Sequence, residues 1–483
     1  MNKSFIRYIF SIVITVESLF LILVSGVSLI YHEPVFFEYF ITGVIFLILG
    51  IIGYRKKFDS YVFFAKEGFI TVAGAWILMS VIGAIPLFIT GEIPNFIDAV
   101  FEVVSGFTTT GSTIVDDVTA LTHASLFWRS FTHWIGGMGV LVFVLAIFPS
   151  AGGRAIHVMR AESPGPSVGK LVPKIKDTAI ILYSIYAGLT LIEIICMKLC
   201  GMPWFDSITL SFATAGTGGF GILNESFISY SSSVQIVATI FMILFGINFN
   251  IYYLILIGKL KDAFKSTELK CYLGIIVIAS LGIAINTFNM FGSIFEALKH
   301  SFFQVASIMT TTGFASYDFD LWPMYSKTIL ILLMFIGACA GSTGGGIKVS
   351  RIVIICQDLA NTLRQYIHPR QVKVVRFEGK PVDKETVNSI RAYIAFYMVI
   401  YFVSLLLISV DNLDFTTNFA AVAATINNIG PGLNLVGPSC NFNCFDYFSK
   451  IVLIFDMLAG RLELIPLLIL FAPFTYSKKE KKV

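Results

Sequence analysis

Four times along this chain a long apolar segment is followed by a short one, then a turn built on a single glycine, then a second long apolar segment. The turns are Thr108-Thr109-Thr110-Gly111, Thr217-Gly218-Gly219-Phe220, Thr310-Thr311-Thr312-Gly313-Phe314 and Asn427-Asn428-Ile429-Gly430-Pro431. Their last glycines lie 108, 94 and 117 residues apart. A period near 100 residues points to four copies of one unit, and a repeat of that kind governs how everything else in the sequence is read.

The long segments are each about 20 apolar residues, enough to cross roughly 30 Å of hydrocarbon as a helix. They are expected over 67–90 and 124–149, 177–199 and 232–258, 271–291 and 325–356, and 390–410 and 447–474. The short ones, 94–107, 204–214, 294–308 and 415–426, cannot cross and suit re-entrant helices, whose irregular ends are tolerated only where they line a cavity. Two further helices, 8–30 and 35–54, precede the repeats. The first is read as a retained span rather than a signal peptide, because no small-residue cleavage site follows it. With 56% hydrophobic and 13% charged residues, the chain has too little polar surface to cover a soluble globule of 483 residues.

The expected fold is therefore an all-α integral membrane protein of ten transmembrane helices: two N-terminal, plus four helix–re-entrant pore helix–helix repeats around one pore. The units divide as 1–60, 61–150, 151–260, 261–357 and 358–483, with polar segments over 151–176 and 358–390. Lysine and arginine gather in one set of connections, including Lys3, Arg7, Arg55, Arg154, Lys259, Arg364 and the tail lysines 478–482. Asp116, Asp117, Glu225, Asp318, Asp320, Asp411, Asp414 and Asp446 gather in the other set, close to the glycine turns. Basic loops mark the cytoplasmic side, so both termini are expected inside and the turns outside, under an acidic vestibule that concentrates cations.

A cation leaving water needs its hydration shell replaced, and a ring of backbone carbonyls does this without placing full charges in the membrane. Glycine adopts φ > 0 at no steric cost, and four re-entrant helices would aim their partly negative C-terminal ends at the same point. Ser105-Gly106-Phe107-Thr108-Thr109-Thr110-Gly111-Ser112, the run 303–314, Asn427-Asn428-Ile429-Gly430-Pro431-Gly432-Leu433 and Trp134-Ile135-Gly136-Gly137-Met138-Gly139 carry a resemblance to the Trk/Ktr/HKT potassium transporters. It covers about 60–475, and the two extra N-terminal helices point to its TrkH/TrkG branch.

The resemblance implies a potassium uptake protein of a prokaryotic plasma membrane, a homodimer with one pore per subunit, and a cytosolic nucleotide-binding regulatory subunit similar to TrkA. It implies filter carbonyls at Thr109, Thr110 and Gly111, at Thr217, Gly218 and Gly219, at Thr311, Thr312 and Gly313, and at Asn428, Ile429 and Gly430. Repeat two departs from the pattern, with Ala215-Gly216-Thr217-Gly218 ahead of Gly219, so an asymmetric ring is expected.

Five glycines fall in the ten positions 337–346, within a segment otherwise apolar enough to be a span. At about 1 kcal/mol each in a helix interior they should break it. A phosphate-binding loop fits poorly, because Ile347 stands where lysine is required and no strand precedes it; a helix-packing surface remains open. The favoured reading is an intramembrane loop containing Gly341, Gly344, Gly345 and Gly346, similar to the family's gating loop.

Arg461 lies deep in the last apolar segment, where a charge must face a cavity or a partner. Glu463, two residues on, points to another side of the helix. Arg461 and the 341–346 loop are expected to form a gate. Glu17, Glu193 and Glu463 are candidates for proton coupling, with helix-end or paired carboxylates as the plainer reading. His123, His133, His157, His300 and His368 have no ligand spacing, and Cys440 and Cys444, in a polar loop, leave an external disulfide open. No nucleophile or zinc pattern occurs. The chain thus reads as a transporter of potassium with no organic cofactor, set against a sodium-coupled symporter, which would show two halves rather than four units, and a membrane enzyme, which would show converging catalytic groups.

Overall fold

The structure is a computed structural model and describes residues 3–55, 65–139, 175–370 and 373–472. Two N-terminal helices, α1 (Lys3–Ile30) and α2 (Phe36–Arg55), form a hairpin. Then come α3 (Ala65–Ile89), α4 (Phe96–Phe107) and α5 (His123–Gly137); α6 (Ile175–Leu199), α7 (Trp204–Gly216), α8 (Ser232–Phe245), α9 (Phe249–Leu256) and α10 (Leu260–Lys265). The third set is α11 (Thr267–Phe291), α12 (Ile294–Met309), α13 (Met324–Ile336) and α14 (Val349–Ile367); the fourth is α15 (Lys384–Ile408), α16 (Phe415–Ile426), α17 (Tyr447–Arg461) and α18 (Ile465–Phe471). Among the described residues the only strands are a small hairpin, Arg376–Phe377 against Lys380–Pro381. The expected continuation of α5 to 149, most of the polar segment 151–176 and the tail lysines lie outside the described residues.

Among the described residues, six helices are long and apolar enough to cross a membrane: α1, α2, α3, α6, α11 and α15. Their outward faces carry exposed aliphatic residues such as Ile45, Ile278, Ile285 and Leu406, the surface a bilayer covers. The short helices α4, α7, α12 and α16 each pack against both long helices of their own set. They also pack in cyclic order on the neighbouring set: α5 on α7, α8 on α12, α13 on α16, and α17 back on α4. The last contact closes the circle.

Two segments expected as single helices are broken. The 232–258 helix bends by 90° between α8 and α9. Four successive carbonyls at the bend find donors: Tyr272 Oη donates to Ile243 O (3.1 Å), Tyr252 Oη to Leu244 O (2.6 Å), Thr343 Oγ1 to Phe245 O (3.2 Å) and the Cys339 amide to Gly246 O (3.1 Å). The 447–474 helix stops at Arg461, where Glu463 (φ 59°) and Leu464 (φ 62°) turn left-handed ahead of Pro466 in α18. Between α13 and α14, Gly337, Gly341 and Gly346 all take positive φ, as the glycine density predicts.

Where these inner helices pass the short ones, no side chain fits. A Cβ on Gly136 of α5 would lie 1.9 Å from Phe107 O, and one on Gly460 of α17 would lie 2.1 Å from Ile426 O. Gly460→Ala should destabilise the fold by about 1–3 kcal/mol, the usual range for overpacking, measured as a lower melting temperature of the purified protein in detergent. An unchanged melting temperature would mean that α17 is free to shift away from α16.

Candidate functional site

Each short helix ends at its glycine turn, and the four turns share one backbone conformation. Thr109, Thr217, Thr311 and Asn428 have φ of 55°, 53°, 60° and 55°; Gly111, Gly219, Gly313 and Gly430 have φ of 82°, 84°, 85° and 98°. The second turn follows the others in backbone although its sequence departs from them.

The turns meet in sequence order. A Cβ on Gly111 would lie 2.0 Å from Gly218 O, on Gly219 1.9 Å from Thr312 O, on Gly313 2.0 Å from Ile429 O, and on Gly430 2.8 Å from Thr110 O. Each glycine thus faces the carbonyl just before the next turn's glycine, and the series returns to its start. Thr109, Thr110, Thr217, Thr311, Thr312, Asn428 and Ile429 are all fully buried.

Side chains brace this ring from behind. Hydroxyls pair across turn one (Thr108–Thr110, 2.8 Å) and turn three (Thr310–Thr312, 2.7 Å). Asn428 Nδ2 donates to Thr110 Oγ1 and to Met457 O, both at 2.9 Å, joining turn four to turn one and to α17. Ser112 Oγ donates to Gly430 O at 3.1 Å. A buried ion pair supports the outer edge: Arg129 Nε donates to Glu102 Oε1 at 2.8 Å, while Glu102 also accepts from Thr113 Oγ1 (2.9 Å) and the Ile114 amide (3.0 Å). Arg129 Nη1 reaches Gly221 O (3.3 Å), and its guanidinium covers the Phe220 ring.

Outside the ring lies a cavity of about 110 Å³ lined by Gly111, Gly219, Gly313 and Gly430 together with Asp116 and Asn441. The acidic residues around it stitch the outer loops: Asn441 and Asn443 donate to Asp116, Asn224 to Asp117, Ser439 to Asp318 and Asn434 to Asp414. Hydrogen bonds from Thr119 and Asn224 hold the exposed Asp117 carboxyl below its ordinary pKa, so it stays charged. Cys440 and Cys444 are both free and exposed.

The 337–348 segment packs against the starts of turns three and four. A Cβ on Gly344 would lie 2.9 Å from Thr310 O and one on Gly345 2.5 Å from Asn427 O, and the Gly345 amide donates to Thr311 Oγ1 at 2.6 Å. Arg461 Nη1 donates to Thr343 O (2.9 Å), and Nη2 donates to Gly137 O (2.8 Å) and to Gly136 O. Arg461 and Gly341, Gly344, Gly345 and Gly346 line one cavity of about 100 Å³. Glu463 pairs with Arg351 of α14 instead of Arg461. Glu17 and Glu193 are fully buried elsewhere, Glu17 against Gly83 of α3.

Sequence reasoning assigned no role to Glu102, Glu268 or Lys348. Glu268 Oε1 accepts from the Ala340 and Ser350 amides (2.7 and 3.1 Å), one on each side of Gly341–Gly346, and Lys348 Nζ donates to Gly344 O. The available signal was a carboxylate or lysine in or beside an apolar segment, which is expensive unless paired.

A family model described as "TrkH: Cation transport protein" matches residues 32–480. The Trk system potassium uptake protein TrkG of Escherichia coli (strain K12) is 36% identical over 98% of this chain and 99% of its own length. The Trk system potassium uptake protein TrkH of Salmonella typhimurium is 34% identical over 96% of this chain and 99% of its own. The crystal structure of the potassium transporter TrkH from Vibrio parahaemolyticus superposes with a TM-score of 0.89 at 30% identity, covering 99% of this chain and all of that one.

The Glu102–Arg129 pair gives a direct test of how the ring is held. Glu102→Ala leaves a buried guanidinium uncompensated and should cost about 3–5 kcal/mol, while Glu102→Gln keeps an acceptor for Ile114 and should lose less. Thermal unfolding in detergent reads both; equal stability of the alanine variant and wild type would overturn the assignment.

Proposed function

The chain belongs to the TrkH family of cation transport proteins, and from that premise we propose that it takes up potassium across a plasma membrane, as a transporter and not an enzyme, through a pore encircled by its four glycine turns. The observation that carries this reading is the cyclic approach of each turn's glycine to the carbonyl ahead of the next turn's glycine. Four left-handed turns of one geometry, at the C-terminal ends of four short helices, suit a ring of carbonyl oxygens replacing the water around a cation. The filter residues are then Thr109–Gly111, Thr217–Gly219, Thr311–Gly313 and Asn428–Gly430, with potassium as cargo.

The gate in this reading is Arg461 with the loop at Gly341 and Gly344–Gly346. Arg461 reaches across the centre from the fourth set to the loop of the third and to the end of α5, so one guanidinium joins three sets where the ion would pass. Its charge opposes a cation there, and its bonds to loop carbonyls hold the segment in place.

The remaining parts of the proposal are coarser. Four repeats of two spans plus the α1–α2 hairpin make ten crossings, with the broken inner helices counted as spans. The basic loops support a topology with both termini in the cytoplasm of a prokaryotic cell. The word "system" in the relatives' names supports a regulatory partner, proposed here as a cytosolic nucleotide-binding subunit similar to TrkA acting on a homodimer.

Two variants test the pore. In liposomes holding the purified protein, Gly313→Ser should lower potassium-over-sodium preference by about tenfold or more, because its side chain enters the Ile429 carbonyl's space at positive φ. Wild-type preference in that variant would sink the filter reading. Arg461→Ala should raise rubidium flux about tenfold in the absence of any partner, the scale of one lost charged hydrogen-bond anchor; an unchanged rate removes Arg461 from the gate.

A further inference from the structure

Turns one and three are each braced by a hydroxyl pair, Thr108 with Thr110 and Thr310 with Thr312. The corresponding positions of turn two are Gly216 and Gly218, which carry no side chain, and with Gly219 they leave three glycines in four residues. Such a backbone loses the most conformational freedom on ordering. It nevertheless matches the other turns in φ at Thr217 and Gly219. Something outside the turn must fix it.

The space those side chains would fill is taken by His133 of α5. A Cβ on Gly218 would lie 2.2 Å from His133 Cγ and Nδ1, and one on Gly216 would lie 2.2 Å from His133 O. The imidazole is fully buried, with Nδ1 2.7 Å from Gly106 O and Nε2 3.2 Å from the Phe220 amide nitrogen. Gly106 O can only accept and the Phe220 amide can only donate, so Nδ1 carries the proton and Nε2 is the acceptor. The ring also lies 4.3 Å from that of Phe220. His133 thereby links the end of α4, behind turn one, to the residue that follows Gly219.

We propose that His133 is a positioning residue for ion selectivity: its neutral imidazole replaces the missing hydroxyl pair and fixes the second quarter of the ring. This rests on the reading of the four turns as a cation filter. His133 touches no ion in this role. It acts through the Phe220 amide and through the volume that Gly216 and Gly218 leave open.

The test uses the purified full-length chain in liposomes, with rubidium uptake measured alone and against competing sodium. His133→Leu fills similar volume but makes neither hydrogen bond; it should still pass rubidium while rubidium-over-sodium preference falls about tenfold, the scale of one buried hydrogen bond left unmade. His133→Gln, whose amide offers one donor and one acceptor, should recover most of that preference. Wild-type preference in His133→Leu, or glutamine doing no better than leucine, overturns the proposal. If His133→Leu does not purify as a folded protein, Gly218→Ala attacks the same contact from the other side and should show the same loss, with wild-type preference again overturning it. Failure of the filter reading looks different: Gly313→Ser would then match wild type whatever happens at His133.

Discussion

Four glycine Cα atoms stand so close to their neighbours' carbonyl oxygens that a methyl group on any of them would lie between 1.9 and 2.8 Å from an oxygen. That approach requires the turns to share one conformation, and it requires the four short helices to arrive at matching depth. The cyclic packing of α5, α8, α13 and α17 on the next set's short helix supplies the matching, and Gly137, where a Cβ would lie 2.7 Å from Gly216 Cα, lets α5 close on α7. The ring cannot loosen at one turn without moving the carbonyl that the preceding turn depends on.

Irregular backbone near the centre of a membrane must satisfy its own hydrogen-bonding groups. The broken inner helices do this by serving one another. The carbonyls at the end of α8 accept from Tyr272, Tyr252, Thr343 and Cys339, while the Phe249 amide, at the start of α9, donates to Gly341 O at 3.0 Å. The bend in the second set and the glycine segment of the third are therefore one structural unit. Glu268 adds amide bonds on both sides of Gly341–Gly346. A movement of that segment must break or exchange these bonds together, a condition for two discrete arrangements rather than gradual deformation.

Much of this was legible in the sequence. Apolar length marked the six long spans, shortness marked the pore-helix candidates, and the glycine strings located the turns and the 337–348 break. The bend at Gly246 and the stop at Arg461 were missed because continuous apolar length outweighed the local breaking residues, Gly246 and Asn248 at the first and Gly460 and Pro466 at the second. Glu102–Arg129 and His133 were missed for another reason. They are single polar residues without periodic pattern, and their meaning comes from partners as remote as Phe220 and Gly221. Arg461 was visible because a charge in that setting needs a partner, but its bonds to Thr343, Gly136 and Gly137 required the fold.

In the proposed pore, Arg461 and the ring would act on a cation with opposite sign. The short helices end on the ring with their partly negative termini, which favours a positive charge at that point. On the far side of the glycine segment, Arg461 sits in a cavity with Lys348 and Glu463, and Glu463 is already committed to Arg351. In the proposed pore a potassium ion leaving the ring inward would meet net positive charge before it met water. Moving the segment alone would then open too little, since the guanidinium is bound to Gly137 of α5 as well as to Thr343. In the proposed gate, opening takes Arg461 off both anchors and so involves the end of α17 along with the glycine segment.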